Sequence, residues 1–132
     1  MKKFFPLACL ALIAAALSSC TKRYITEATP NQTFFVTIPA ANWVQTTDGK
    51  ADSVSIKAPG IDNYFNDHGA TLVYFSFYKG VYEQIPEVYN NVAYSYIHYP
   101  GNLVLYAQPP GGGTPVKPTD DITVKLVLVD SN

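Results

Sequence analysis

Charged side chains are scarce in this sequence. Lysine, arginine, aspartate and glutamate together make up 14% of its 132 residues, whereas about a quarter is usual for a globular domain. Nine basic residues stand against ten acidic ones, which gives a formal charge of −1. A nucleic-acid-binding surface needs a basic patch to displace the counterions of the phosphates. We therefore expect no nucleic-acid partner.

Apolar runs long enough to span a membrane are also missing. The run over residues 4–17 falls short of the about 20 residues that a transmembrane helix needs. Lys2 and Lys3 precede this run, and the small residues Ser18 and Ser19 follow it. A charged start, an apolar middle and small residues before a cleavage point are typical of a secretory signal peptide. We interpret residues 1–19 as such a signal.

Cysteine occurs only twice, as Cys9 and Cys20. Cys9 falls inside the predicted signal and Cys20 directly follows it, so we expect no disulfide in the mature domain, although an extracytoplasmic compartment would permit one. Removal of the signal leaves 113 residues, with seven basic against ten acidic side chains and a formal charge of −3. This length suffices for one domain with its own core.

The segment Leu17-Ser18-Ser19-Cys20 resembles the lipobox of bacterial lipoproteins. The resemblance implies that Cys20 receives a diacylglycerol on its sulfur, that the preceding peptide is removed, and that the cysteine becomes the acylated first residue. Each buried methylene contributes about 0.8 kcal/mol, so several acyl chains hold such a protein firmly on a membrane. The alternative interpretation is an ordinary signal peptide in which Cys20 is incidental.

Alternation of apolar and polar residues predicts that the rest of the chain is built from β-strands. Residues 20–32 are polar and predict a lipidated tether, whereas residues 33–132 predict one β-domain. In residues 70–78 Val73, Phe75 and Phe77 share one face, which is the period of a strand. The predicted strands are residues 33–38, 42–45, 52–58, 70–78, 81–85, 92–99, 102–108 and 122–130.

This pattern predicts an all-β fold, an antiparallel β-sandwich that is either immunoglobulin-like or jelly-roll-like. One short helical turn is predicted after Asp62, which would cap it, and before Gly69, which would end it in a left-handed conformation. Residues 109–120 (PPGGGTPVKPTD) are rich in proline and glycine and predict a flexible loop.

Residue patterns for catalysis or metal binding do not emerge from the sequence. No serine lies in a G-x-S-x-G motif, and the acidic residues form no calcium-binding loop. His68 and His98 are the only histidines. Glu83 and Glu87 flank Ile85 and Pro86, but nothing in the sequence marks either carboxylate as buried. We therefore assign no catalytic residue, no metal site and no cofactor.

The ten tyrosines are the one feature typical of a binding surface. Tyr78, Tyr82, Tyr94 and Tyr96 lie on neighbouring predicted strands, where they would form an aromatic platform for a sugar ring or a protein partner. The alternative is that these rings pair across strands inside the sandwich and only stabilise it.

Several segments look like those of small Bacteroidetes lipoproteins without an assigned activity. VYEQIP and VKLVLVD carry the resemblance, which spans most of residues 33–132. The resemblance implies a β-rich domain that follows a lipidated cysteine in the chain, and it assigns no catalytic residue. The tripeptide around Ser53, Asp-Ser-Val, also resembles the acceptor for O-glycosylation in Bacteroidetes, so Ser53 is a candidate glycosylation site.

The residues after Cys20 bear on location. Thr21 rather than aspartate follows the cysteine, as in lipoproteins sorted to the outer membrane. Lys22 and Arg23 stand where surface-exported Bacteroidetes lipoproteins often carry acidic residues, which favours a periplasm-facing orientation over the cell surface.

We therefore expect a lipid-anchored envelope protein, a non-enzymatic binding or structural module. Its partners would be the membrane, through the anchor, and a glycan or an envelope protein. The contact surface would combine the tyrosine-bearing strands with residues 109–120. The alternative is an enzyme, or its accessory subunit, that acts on envelope polysaccharide.

Replacement of Cys20 tests the anchor. In Cys20→Ala we expect no incorporation of radiolabelled palmitate and accumulation of the unprocessed precursor, because the sulfur that accepts the lipid is gone. Labelling followed by electrophoresis measures both effects. The wild-type chain is the control, and normal labelling of the variant would refute the lipobox interpretation.

Overall fold

Two antiparallel sheets make up the structure, a computed structural model that describes residues 30–131. One sheet has four strands in the order β1-β9-β4-β5, and the other has five in the order β2-β3-β8-β7-β6. The all-β sandwich expected from the sequence is confirmed. The strands are β1 (Gln32–Ile38), β2 (Val44–Gln45), β3 (Asp52–Ala58), β4 (Ala70–Tyr78), β5 (Val81–Ile85), β6 (Glu87–Tyr89), β7 (Val92–Tyr99), β8 (Gly101–Gln108) and β9 (Ile122–Val129).

The chain passes from one sheet to the other between β5 and β6. β5 ends at Ile85, and the Ile85–Pro86 peptide bond is cis. The sequence predicted that the strand stops at Pro86 but not that a further short strand, β6, follows in the opposite sheet. β6 then turns into β7 through Asn90 and Asn91, both with positive φ, as a tight two-residue hairpin requires.

The core is a single apolar layer between the sheets. Val73 and Phe75 of β4 are buried, as the alternation predicted. The inner faces of β8 and β9 supply most of the other aliphatic side chains of the layer: Leu103, Leu105, Ala107, Ile122, Val124, Leu126 and Leu128. Trp43 is also buried. The predicted strand around it is wrong in extent, since a 3-10 turn (Ala40–Asn42) precedes Trp43 and β2 contains only two residues.

The one α-helix within residues 30–131, α1 (Asn63–His68), lies between β3 and β4. Asp62 caps it as predicted, since Asp62 Oδ1 accepts a hydrogen bond of 2.7 Å from the backbone N–H of Phe65. The prediction for Gly69 is wrong: its backbone is extended, with φ −84°. Glycine is needed there for space, because a Cβ atom would clash with the Phe65 ring. Within residues 30–131 no helix is long and apolar enough to cross a membrane.

The predicted loop over residues 109–120 is only partly solvated. It contains no regular structure, and a Cβ atom added to any of Gly111–Gly113 would meet nothing within 4 Å. The second half is held, however. Pro118 is buried, Lys117 Nζ donates to the carbonyl of Ala41 at 3.3 Å, and Asp121 Oδ1 accepts from the N–H of Ala40 at 2.9 Å.

Deletion of Gly111–Gly113 from the full chain tests this division of the loop. We expect the free energy of unfolding to change by no more than about 0.5 kcal/mol, as for exposed surface changes. The space beside the glycines is open, and the hydrogen bond from the Gly112 N–H to the carbonyl of Pro109 stays within the loop. Thermal unfolding followed by circular dichroism measures the change. As a control, Leu105→Ala should cost about 2–5 kcal/mol, because it opens a cavity in the core. A loss of that size on deletion would show that the glycines pack.

Candidate functional site

An aromatic cluster lies on the outer face of the four-stranded sheet. Lys125 of β9 stands directly between Phe35 of β1 and Tyr74 of β4 in the strand register. Gln84 of β5 follows beyond Tyr74, and Tyr82 lies two residues before Gln84 on the same strand, hence on the same face. We call Phe35, Tyr74, Tyr82 and Lys125 the aromatic face.

Contacts across the sheet hold the aromatic face together. Lys125 Nζ lies 4.1 Å from the centroid of the Tyr74 ring and 4.5 Å from that of the Tyr82 ring. The rings of Phe35 and Tyr82 have centroids 6.0 Å apart. Their strands are the two edges of the sheet, about 14 Å apart at three strand spacings. The two side chains therefore reach toward each other above Lys125 and Tyr74.

The aromatic face combines exposure with order. The side chain of Phe35 is 60% exposed and that of Tyr82 is 39% exposed. The ammonium group of Lys125 is attracted by the electron-rich faces of two rings, an interaction that contributes about 0.5–1 kcal/mol at an exposed site. The cluster therefore presents a prearranged apolar surface with one cation among its rings.

Tyr94, a predicted surface residue, is instead part of the core. Its side chain is 5% exposed. Its ring lies 6.3 Å from Trp43, 5.2 Å from Phe75 and 5.5 Å from Phe77, measured between centroids. Burial, followed by the charge of Glu87, raises the pKa of Tyr94 to about 12. The interpretation as internal aromatic pairing therefore holds for this residue.

Tyr96 and Tyr78 lie in two further environments. Tyr96 is half-buried on the inner face of β7, and its hydroxyl donates to the carbonyl of Thr71 on β4 at 2.6 Å. This bond connects the two sheets. Tyr78 is 65% exposed, and its hydroxyl accepts from that of Tyr89 at 3.0 Å. The four predicted tyrosines thus do not form one platform, and only Tyr82 belongs to the aromatic face.

The sequence prediction missed three of the four residues of the aromatic face. Alternation does place Phe35 and Tyr74 on the strand faces opposite to the core residues Val36 and Val73. What it does not give is the strand order, which brings β1, β9 and β4 side by side. The sequence therefore indicates which side chains face outward, but not that those of different strands lie next to one another.

One shallow cleft combines tyrosines with the loop over residues 109–120. Phe77, Tyr89 and Tyr94 line it together with residues 116–120, and its volume is about 180 Å³. The Tyr89 ring stacks on that of Phe77 at 3.9 Å. Pockets for small molecules usually measure about 300–1,000 Å³. This cleft is too small to enclose a typical ligand.

Glu83 of β5 and Glu87 of β6 form an acid pair near Pro86, where the chain passes from one sheet to the other. No residue pattern indicated that these carboxyl groups are buried. Oε2 of Glu83 and Oε1 of Glu87 are nevertheless both buried and have no hydrogen-bond partner among the described residues. Burial, then the charge of Glu83, then hydrogen bonding to it raise the pKa of Glu87. Two carboxylates cannot bond each other, whereas a protonated Glu87 can donate to Glu83.

Ser53 and Cys20 stand apart from these groups. Ser53 is half-buried in the five-stranded sheet, directly between Val44 and Tyr106 in the register. Its neighbour Asp52 is buried, so of the predicted glycosylation tripeptide only the serine lies toward the outer face. Cys20 and the predicted signal lie outside the described residues, as does most of the predicted tether.

Both histidines are engaged locally. The His68 ring stacks on Tyr64 with centroids 4.3 Å apart, and His98 Nδ1 lies 3.2 Å from Asn66 Oδ1. Over residues 30–131 no three histidine, cysteine, aspartate or glutamate side chains converge as metal ligands would. The histidines therefore act as packing and hydrogen-bonding groups.

The chain matches no protein-family model, no curated protein and no solved structure at a significant level. Its function must be inferred from its own geometry. Two features distinguish that geometry, the aromatic face and the acid pair. The first is open to solvent, and the second is enclosed between strands.

Glu87→Gln tests the acid pair. In the folded chain the pKa of Glu87 is raised above its ordinary value of 4.5. The stabilising contribution of protonated Glu87 is therefore fully present below pH 4.5 and is lost as the pH rises through the folded pKa. We expect the variant to raise the melting temperature near pH 7 by a few degrees, with little effect near pH 4.

Thermal unfolding of the full chain at both pH values measures this difference. Asp120→Asn removes an exposed carboxylate instead and is the matched control. A lower melting temperature for Glu87→Gln near pH 7 would show that the ionised pair stabilises the fold.

Proposed function

We propose that this chain is a non-enzymatic binding module of a bacterial cell envelope that recognises a glycan through the aromatic face. The observation that carries the proposal is the prearranged, exposed cluster of Phe35, Tyr74, Tyr82 and Lys125. The resemblance of Leu17-Ser18-Ser19-Cys20 to a lipobox supports an anchor in the outer membrane. Lys22 and Arg23 support an orientation toward the periplasm.

The chemistry around the aromatic face suits a sugar chain. Aromatic rings offer large, rigid contact area at low entropic cost, which complements the apolar faces of sugar rings. Uncharged polar side chains share the outer face with them, among them Thr37, Ser76, Gln84 and Thr123. Their hydroxyl and amide groups can donate to and accept from sugar hydroxyls. The outward positions of β1, β4, β5 and β9 carry no carboxylate.

The proposed anchor leaves the module room to find such a chain. Residues 21–31 separate Cys20 from β1 and span at most about 40 Å when fully extended. A domain on a tether of that reach samples a shell of the envelope around its anchor. This geometry favours binding to a polymer that lies close to the membrane.

The alternative function, hydrolysis of envelope polysaccharide, would use two carboxyl groups across a cleft. The acid pair is the only observation among the described residues that favours it. Glycosidases separate their two carboxyl groups by about 5 Å or more to admit the sugar. Glu83 and Glu87 instead have buried carboxylate oxygens, and the charge of Glu83 helps to raise the pKa of Glu87, which favours binding over hydrolysis.

Tyr82→Ala tests the aromatic face. With the full chain applied to an array of neutral and acidic bacterial polysaccharides, we expect the variant to weaken binding about tenfold or more, because an anchoring ring is lost. Tyr99→Ala is the matched control. Tyr99 is 46% exposed, close to the 39% of Tyr82, but it lies on the other sheet.

Two outcomes would contradict the proposal. One is that the wild-type chain binds no polysaccharide on the array. The other is that Tyr99→Ala weakens binding as much as Tyr82→Ala. Crosslinking of a photoreactive residue at position 82 to an envelope protein would identify a protein partner in place of the glycan.

A further inference from the structure

The four sheet edges differ in how they are protected. Natural edge strands are commonly short, or interrupted by bulges, proline or inward-facing charges. β2 has two residues, and β6 has three, with Pro86 before it and Glu87 within it. β5 carries Glu83, and the register between it and β4 shifts between Phe75 and Tyr78. All three of these edges are therefore unsuited to pairing with another strand.

β1 has none of these protections. It spans seven residues, QTFFVTI, and pairs with β9 without any shift in register. It contains no charge, proline or glycine. Within residues 30–131 it pairs on one side only, while Phe34 and Phe35 remain 45% and 60% exposed. Such a long, regular and apolar edge is a template for a further strand.

An apolar cleft opens beside β1, between the two sheets. Its volume is about 220 Å³. β1 contributes Phe34 and Val36 to one wall, and β3 contributes Ile56 to the other. A strand added to β1 would project every second side chain toward this cleft. The occupant must therefore offer apolar residues at alternate positions.

We infer that β1 pairs antiparallel with β1 of a second copy of this chain, about a two-fold axis at Phe35. In this register Phe35 faces Phe35 of the second copy, and Phe34 faces its Val36. Thr33 faces its Thr37. Aromatic, aromatic–aliphatic and threonine pairs are each favourable across antiparallel strands. The surface is self-complementary, as a two-fold interface requires.

Two features of the chain select this occupant. Phe34 and Val36 both line the cleft, and Phe34 is 45% exposed, so in the proposed register the inward Phe34 of each copy would cover apolar surface beside Val36 of the other. The residues before β1, by contrast, carry Lys22, Arg23 and Glu27, which suit an apolar edge poorly. The pairing joins the aromatic faces of two copies through Phe35, but it does not depend on glycan binding.

A pair of charge variants tests both the interface and its register. Thr33 and Thr37 are exposed and lie on the outer face of β1. In T33K/T37K each new lysine faces a lysine of the other copy, and like charges opposite each other are destabilising. In T33K/T37E each lysine faces a glutamate instead. Neither variant changes a core residue.

Sedimentation equilibrium of the full chain in density-matched detergent gives the readout. We expect twice the single-chain mass for the wild type and for T33K/T37E, and the single-chain mass for T33K/T37K, with the circular dichroism spectrum unchanged in all three. A wild-type chain that sediments as a monomer overturns the proposal. So does T33K/T37K that remains dimeric, or T33K/T37E that dissociates. The binding test at Tyr82, on the opposite edge of the sheet, is independent of these outcomes.

Discussion

Burial of one apolar layer between two sheets is the constraint on which the rest of this structure depends. In a β-strand the choice of inner residues also determines the outer ones. Once Val36, Val73 and Val124 face the core, Phe35, Tyr74 and Lys125 must face outward on the same sheet. The aromatic face is therefore a direct consequence of the packing beneath it, which also fixes its backbone. A rigid base of this kind lowers the entropic cost of holding a ligand.

Alternation in the sequence was sufficient to predict the sandwich and most of its strands, but not which outward side chains come together on its surface. The case of Tyr94 shows why. The two-residue repeat of the strand correctly places Tyr94 and Tyr96 on the same face. Tyrosine, however, has an apolar ring and a polar hydroxyl, so it suits either face of a strand. Only the strand order decides that both point inward. The burial of Glu83 and Glu87 could not be predicted either, because it arises where the chain crosses from the edge strand of one sheet to the edge strand of the other.

The two sides of the sandwich differ in how they respond to the risk of strand addition at an exposed edge. The acid pair lies at one side and β1 at the other. Glu83 and Glu87 put carboxyl groups where an apolar pair would be more stable, and their mutual repulsion opposes folding near neutral pH. In return, inward charges discourage strand addition at that side. β1 carries no inward charge and remains suited to pairing with another strand. A chain that blocked both sides would be more soluble, and one that blocked neither would form fibres.

The position of β1 in the fold also has a mechanical consequence. An anchor at Cys20 would deliver any pull from the membrane first to Gln32, the first residue of β1. β1 is held to the interior strand β9 by a seven-residue antiparallel ladder, whose hydrogen bonds run perpendicular to the strands. A force along β1 therefore loads these bonds together, in shear, instead of opening them one after another. Because β9 also carries Lys125, tension between the anchor and a ligand on the aromatic face would pass through this seven-residue ladder.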